Sequence, residues 1–200
     1  MLVAILKYSS SNVSSLSNCL KSIGVKHYIC HSKKDLSYAS TIILPGVGTY
    51  EGVLNEIKKN NTYETIIEKA NQGNKIIGIC IGMQILAETG NELSLKKSKG
   101  LGLIKGDVKK MNNFHIGWNK LQGKNFSKKF NQFKNQSFYF NHSNYLKLKN
   151  SKTVVFYSSL NDIKIPSLII NKNILGFQFH PEKSQVYGKK ILKFLIKENL

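Results

Sequence analysis

Three short segments of this chain have residue types and spacing suited to chemistry. The first is Gly78-Ile79-Cys80-Ile81-Gly82. Glycines flanking a nucleophile permit a sharp, strained strand-to-helix turn that raises its side chain above a sheet. A helix over residues 82–87 would aim its first amides at the sulfur, favouring a thiolate and offering the Ile81 N–H to an oxyanion. Read alone, the pentapeptide also suits a buried cysteine packed as a small hydrophobe. The second segment is Phe177-Gln178-Phe179-His180-Pro181-Glu182. It places an imidazole at a strand end, with a carboxylate two residues on and a proline stiffening the link. Such a carboxylate accepts the second ring N–H, fixing the tautomer and stabilising imidazolium. The third is Leu44-Pro45-Gly46-Val47-Gly48, where two glycines let backbone amides turn towards a ligand and complete an oxyanion hole. Alone, Pro-Gly at a strand end is an ordinary turn. Together the three describe acyl transfer through a thioester.

The elements that must carry these residues are legible as an alternation. Apolar runs predict strands over 2–6, 25–30, 41–44 and 75–79. Between them, spacings of three and four predict helices over 12–23 (stopped by Gly24), 52–58 and 63–71. Strands alternating with helices imply an α/β fold with a mainly parallel central sheet flanked by helices. From residue 100 the texture changes to short apolar segments at 101–108, 115–121, 138–140, 153–157, 167–170 and 174–179, read as additional, partly antiparallel strands. Residues 123–136 are polar and basic and read as a mobile loop, and 189–197 closes the chain with a helix.

Length and composition narrow the class. The 200 residues fit a single domain, 1–200. No apolar run approaches 18 residues, which excludes a membrane-spanning helix. The N-terminal apolar stretch lacks a preceding basic region and a cleavage pattern, so it reads as a first strand rather than a signal peptide. Cys19, Cys30 and Cys80 are too few and irregular for a disulfide framework or a zinc site, and a reducing cytoplasm is the expected setting. The formal charge of +19 suggests nucleic acid at first sight. All thirty basic residues are lysine, however, and asparagine rises with them to twenty-one. That pairing indicates a coding bias, and arginine, the usual reader of guanine edges, is absent. Only short clusters occur, at Lys96-Lys97-Lys99 and at Lys124, Lys128 and Lys129. A solvated basic surface is expected, with neither nucleic acid nor membrane as partner.

The three segments, in this order, resemble the class I (triad-type) glutamine amidotransferases. Further similar segments are Gly100-Leu101-Gly102-Leu103-Ile104, His115-Ile116-Gly117-Trp118-Asn119 and Tyr139-Phe140-Asn141-His142-Ser143, so the resemblance runs from residue 45 to 184. They point to the branch of separate glutaminase subunits serving histidine biosynthesis. The resemblance implies a flavodoxin-like fold, with Cys80 as nucleophile, His180 as general base and acid, and Glu182 orienting it. Gly46, Val47, Gly48 and Ile81 would hold the oxyanion; Gln84, His142 and Ser143 would hold the amino-acid end of L-glutamine. Asn12, Trp118 and Lys183 would face a (β/α)8-barrel cyclase subunit in a heterodimer, to which ammonia is delivered for imidazole glycerol phosphate and aminoimidazole carboxamide ribotide formation. No metal or organic cofactor is implied.

Two departures from the family pattern stand out. Where the family has Asp-Tyr-Gly-x-Gly-Asn, this chain reads Lys7-Tyr8-Ser9-Ser10-Ser11-Asn12. Asn141 and Asn144 occupy positions usually apolar and aromatic. The first departure motivates an alternative partner, such as a synthase aminating a surface-polysaccharide sugar. Two readings from other classes are a non-catalytic scaffold retaining the fold and a lysine-mediated nucleic-acid binder.

Overall fold

The computed structural model describes residues 1–92, 96–123, 128–149 and 153–198. A seven-stranded sheet forms its centre. In chain order its strands are β1 (Val3–Leu6), β2 (His27–Cys30), β3 (Thr41–Leu44), β4 (Lys75–Ile79), then β9 (Val154–Leu160), β10 (Ile163–Asn171) and β11 (Ile174–Phe177). Their spatial order is β2-β1-β3-β4-β11-β10-β9; the first five are parallel and the last two antiparallel. Every residue of β1, β3 and β11 is buried, as expected of strands covered on both faces.

The period-two alternation of these strands divides the core. Val3, Ile5, Ile43, Ile77 and Ile79 face one layer, where α1 (Val13–Ser22) and α6 (Gln185–Lys197) contribute Leu16, Leu20, Ile191 and Leu195. Ala4, Leu6, Ile42, Leu44 and Ile76 face the other, built with α3 (Tyr50–Lys59) and α4 (Tyr63–Asn71). A one-turn helix, α2 (Lys33–Leu36), went unmarked in the hydrophobic pattern because a single turn has no period; a Ser32–Asp35 capping box holds it.

A second sheet packs beside the first, in the order β6-β5-β7-β8: β5 (Ala87–Gly90), β6 (Ser98–Lys99), β7 (Ile104–Lys120) and β8 (Ser137–Leu148). Two expectations are corrected here. The helix after Cys80 is only α5 (Ile81–Gln84), and Ala87 already belongs to β5. The strands expected at 101–108 and 115–121 are one strand, β7, with a register irregularity between Lys110 and His115. Lys110 pairs with Asn144 and His115 with His142, so β7 carries three extra residues against β8, a bulge that interrupts the hydrophobic pattern. The expected loop at 123–136 is corrected in part. Residues 124–127, including Lys124, lie outside the described residues, but Lys128–Phe133 is a 3-10 turn that buries Phe130 and Phe133. Their rings pack edge-on and tilted against Phe194 of α6. Of the other clustered lysines, Lys97 lies 3.6 Å from Asp107 and Lys129 2.7 Å from Glu198.

The segment leading from β11 to His180 is anchored by aromatic packing. Phe179 is fully buried, with ring centroids 4.4 Å from Phe138, 5.3 Å from Phe177 and 5.8 Å from Phe140. Phe179→Ala is expected to lower unfolding free energy by about 3–5 kcal/mol in urea titrations.

Candidate active site

All three chemistry-bearing segments emerge at the carboxyl ends of adjacent parallel strands: residues 45–48 after β3, Cys80 after β4 and His180 beyond β11. In an open α/β sheet this edge is where ligands bind. The turn at Cys80 has φ 50° and ψ −107°, a conformation that L-residues rarely adopt. Its neighbours explain why it is tolerated. A Cβ on Gly78 would run into the Gly82 backbone, and one on Gly82 would overlap the Leu44 carbonyl. The Cys80 N–H donates to the Phe177 carbonyl at 2.6 Å, fastening the turn to the next strand end.

His180 is 1% exposed, and its Nδ1 donates to Glu182 Oε1 at 2.8 Å. Its backbone is held by three bonds: His180 N–H to the Tyr139 carbonyl (2.9 Å), Ser184 Oγ–H to the His180 carbonyl (2.6 Å) and Lys183 N–H to the same carbonyl (3.1 Å); Tyr139 N–H in turn donates to Ser184 Oγ (2.9 Å). Burial opposes charging this ring, but the adjacent Cys80 sulfur and the Glu182 carboxylate outweigh it and raise the imidazole to about 10. Gly46 packs against both groups: a Cβ there would lie 2.7 Å from the Ile79 carbonyl oxygen, 3.0 Å from Cys80 Cβ and 3.1 Å from His180 Cε1.

These residues open into a cleft of about 220 Å³ whose wall includes Gly46, Val47, Gly48, Ile81, Gln84, His142 and Ser143. Gln84 is buried, and its Nε2 donates to the Asn144 carbonyl at 2.8 Å and to Gln178 Oε1 at 3.3 Å. The two departing asparagines, Asn141 and Asn144, also line the cleft. Asn141 presents its carbonyl 3.7 Å from Cys80 Sγ. Ile81 occupies the first position of α5, where a helical amide has no intrahelical acceptor.

Of the three residues expected to face a partner, Lys183 and Trp118 both lie against the Tyr139 ring, and Asn12 sits at the start of α1. Lys183 is on the cleft wall, with its ammonium 5.8 Å from the Tyr139 ring centre. Trp118 is 50% exposed on β7, in line with exposed Ile116 and Phe114. Asn12 caps α1, its Oδ1 accepting from Ser15 N–H at 3.4 Å. The serine segment has contacts that the sequence did not reveal: Ser10 Oγ donates to the Val47 carbonyl at 2.8 Å, and the Tyr8 hydroxyl donates to the Pro45 carbonyl.

Three further cleft or near-cleft residues escaped the sequence reading. Gln178 Nε2 lies 3.8 Å from Cys80 Sγ as a donor; its place two residues before His180, on the same side of an extended segment, was an available signal. Phe114 reaches the cleft because the β7 bulge turns it there. Glu92 places a carboxylate in the wall, oriented by a bond from Tyr50 N–H at 2.7 Å. Nothing local in the sequence marks it.

The family model described as Glutamine amidotransferase class-I matches residues 4–198. The chain belongs to the class I glutamine amidotransferases. It is 37% identical over 198 residues to the imidazole glycerol phosphate synthase subunit HisH of Listeria monocytogenes serotype 4a (strain HCC23), covering 96% of this chain and 93% of that one. It is 35% identical over 201 residues to the subunit of the same name from Lactococcus lactis subsp. lactis (strain IL1403), covering 98% of both. Among solved structures, PurLQS from Thermotoga maritima superposes with a TM-score of 0.76 at 21% identity, covering 98% of this chain and 97% of that chain. This amidotransferase shares the fold of that structure.

The raised value of His180 has a consequence for pH. Its stabilising contribution is complete below the ordinary unfolded imidazole value of about 6.5. It is lost as pH rises through about 10. Nitrogen-15 NMR should find the His180 ring still protonated at about pH 8. In Cys80→Ala the first of the raising influences is gone, and the titration should move to lower pH; an unchanged midpoint would show that the sulfur does not hold the charge.

Proposed function

We propose that this amidotransferase is the glutaminase subunit of an imidazole glycerol phosphate synthase, a single catalytic domain over residues 1–200 acting in the cytoplasm. The observation that carries the chemistry is Cys80 in a positive-φ turn beside a His180 held by Glu182. The near full-length similarity to HisH subunits supports the assignment to histidine biosynthesis.

In this reading the Cys80 thiolate attacks the carboxamide carbon of L-glutamine. The resulting oxyanion accepts hydrogen bonds from the Ile81 N–H and from amides of the Gly46-Val47-Gly48 loop, each worth on the order of 10²–10³ in turnover. Imidazolium His180 gives its proton to the leaving nitrogen, releasing ammonia and a γ-glutamyl thioester. Neutral His180 then takes a proton from water as it attacks the thioester, and collapse of that intermediate returns the Cys80 thiolate and glutamate. Glu182 keeps Nδ1 protonated throughout, so that the opposite ring nitrogen does the exchanging. The reaction uses no metal or organic cofactor. The α-amino end of glutamine is ammonium at neutral pH, and Glu92 supplies the cleft-wall carboxylate to receive it; Gln84 and the backbone at His142–Ser143 receive the carboxylate end.

Ammonia is lost to solvent unless an acceptor enzyme covers the cleft. The occupant of that position is a HisF-like (β/α)8-barrel cyclase, forming a heterodimer through a surface that includes Lys183, Trp118 and Asn12 and taking ammonia directly. The altered Ser9–Ser11 segment favours keeping a second reading, the same chemistry serving a sugar-aminating synthase. Titrating the chain with each candidate partner and following glutamate release separates the two, since only the true partner should stimulate turnover.

Cys80→Ala should abolish glutamate release in the stimulated complex, and substantial residual hydrolysis would refute the assignment. Glu92→Gln should raise KM for glutamine about tenfold or more with a smaller change in kcat, the signature of lost ground-state binding.

A further inference from the structure

Two buried histidines outside the Cys80–His180–Glu182 set lie in contact. His115 of β7 and His142 of β8 are cross-strand partners, 3% and 7% exposed. His115 Nδ1 is 3.0 Å from His142 Nε2, and His142 Nδ1 is 2.8 Å from the Asn144 carbonyl oxygen. On the far side, Asn119 Nδ2 lies 3.1 Å from His115 Nε2 and 2.8 Å from the Ser159 carbonyl oxygen, while its Oδ1 accepts from Lys120 N–H at 2.8 Å.

The direction of every bond follows from its ends. A carbonyl only accepts, so His142 carries its hydrogen on Nδ1. Burial holds His142 near 3 and His115 near 4, so both rings are neutral at physiological pH. A neutral ring has one donor and one acceptor; His142 Nε2 therefore accepts and His115 Nδ1 donates. His115 Nε2 must then accept, and Asn119 Nδ2, already donating to Ser159, supplies its second hydrogen. The chain runs one way, from Asn119 through His115 and His142 to the carbonyl of Asn144.

That carbonyl also receives the Gln84 amide, and the segment it belongs to brings the Asn141 carbonyl towards Cys80 Sγ. We propose that Asn119, His115 and His142 form a positioning relay, a one-directional hydrogen-bond chain that fixes the backbone of residues 141–144 as the substrate-facing wall of the cleft. His115 and Asn119 touch neither glutamine nor the reacting atoms; they act through His142. The relay starts on the strand whose opposite face exposes Ile116 and Trp118, so β7 joins that outer face to the substrate wall. This inference deepens the glutaminase reading and rests on it.

Two substitutions of His115 separate a relay from mere packing. The ring stacks on Phe140, with centroids 4.3 Å apart and planes 16° off parallel. His115→Phe keeps a ring for that stack and removes both nitrogens. His115→Asn gives up the ring but keeps an amide donor where Nδ1 stands. In glutaminase assays of the full chain with its stimulating partner, the relay requires KM for glutamine to rise about tenfold in the Phe variant and to stay within about threefold in the Asn variant, with kcat changing less than KM in both. Packing alone requires the reverse order of impairment, and that order would overturn the proposal, as would a Phe variant with unaltered KM. A measurement on the unmodified chain stands apart from folding of the variants and from activity. Nitrogen-15 histidine NMR should show His115 and His142 neutral with hydrogen on Nδ1 at about pH 7. Hydrogen on Nε2 of either ring, or a cationic ring, would overturn the relay even in a chain that hydrolyses glutamine. A chain that hydrolyses no glutamine with any partner would instead remove the functional reading, and the tautomers would still decide whether the chain of bonds exists.

Discussion

Everything at the sheet edge hangs on one backbone turn. Cys80 is held at φ 50°, a conformation that costs a side-chain-bearing residue about 1–3 kcal/mol and survives only when its surroundings over-determine it. Here they do so by exclusion. The turn brings residue 78 onto residue 82 and residue 82 onto the end of β3, and only glycine has room at either place. The bond from Cys80 N–H to Phe177 then ties the turn to the strand that leads to His180. Cys80, His180 and the Gly46–Gly48 loop are therefore positioned by three neighbouring strand ends. Gly46 closes the arrangement, since any side chain there would push apart the two groups that must meet.

Three histidines of similar burial show how neighbours decide charge. Burial alone disfavours imidazolium in each. Burial, and for His142 the neighbouring His115 and His180 as well, hold His115 and His142 well below the ordinary value. His180 faces a sulfur and a carboxylate and rises instead. The same fold thus sets a cationic imidazole beside two neutral rings. Neutrality is what lets those two rings carry a hydrogen-bond direction, and charge is what sets the third apart. Interchanging the neighbours would interchange the roles.

The parallel half of the fold was legible because its signals are local. Strands β3 and β4 and helix α4 coincide with their expected limits, since each is a continuous or regularly spaced apolar run bounded by Gly, Pro or Asn. Gly78, Gly82, His180 and Glu182 announced a site for the same reason: the chemistry is compressed into two short segments. What escaped was non-local. A bulge divided β7 into two apparent strands and hid Phe114; Phe130 and Phe133 lie in a stretch read as a polar, basic loop, and the surface they cover belongs to the distant α6. Glu92 is one of only eleven acidic residues, yet its place in the cleft depends on how the second sheet packs against α3. The His115–His142 pair needed the register of β7 on β8, which no single stretch of sequence contains.

The serine segment shows how a departure from a family pattern is absorbed. Ser9 and Ser11 stand where glycines are usual. Ser11 Oγ bonds both the Tyr8 carbonyl (2.6 Å) and the Tyr8 N–H (3.1 Å), while Ser9 bonds the Glu56 carboxylate through its N–H (2.6 Å) and its hydroxyl (2.5 Å). Glycine has more freedom to lose on folding, and these side-chain bonds hold a turn that glycine would leave to its own backbone. The consequence reaches the site through Tyr8 and Ser10, whose hydroxyls bind the Pro45 and Val47 carbonyls. A peptide unit is planar and trans, so fixing a carbonyl fixes the following N–H in the opposite direction. Tyr8 thereby orients the Gly46 amide and Ser10 the Gly48 amide. Ser9 and Ser11 thus hold in place the segment from which Tyr8 and Ser10 reach the Pro45 and Val47 carbonyls.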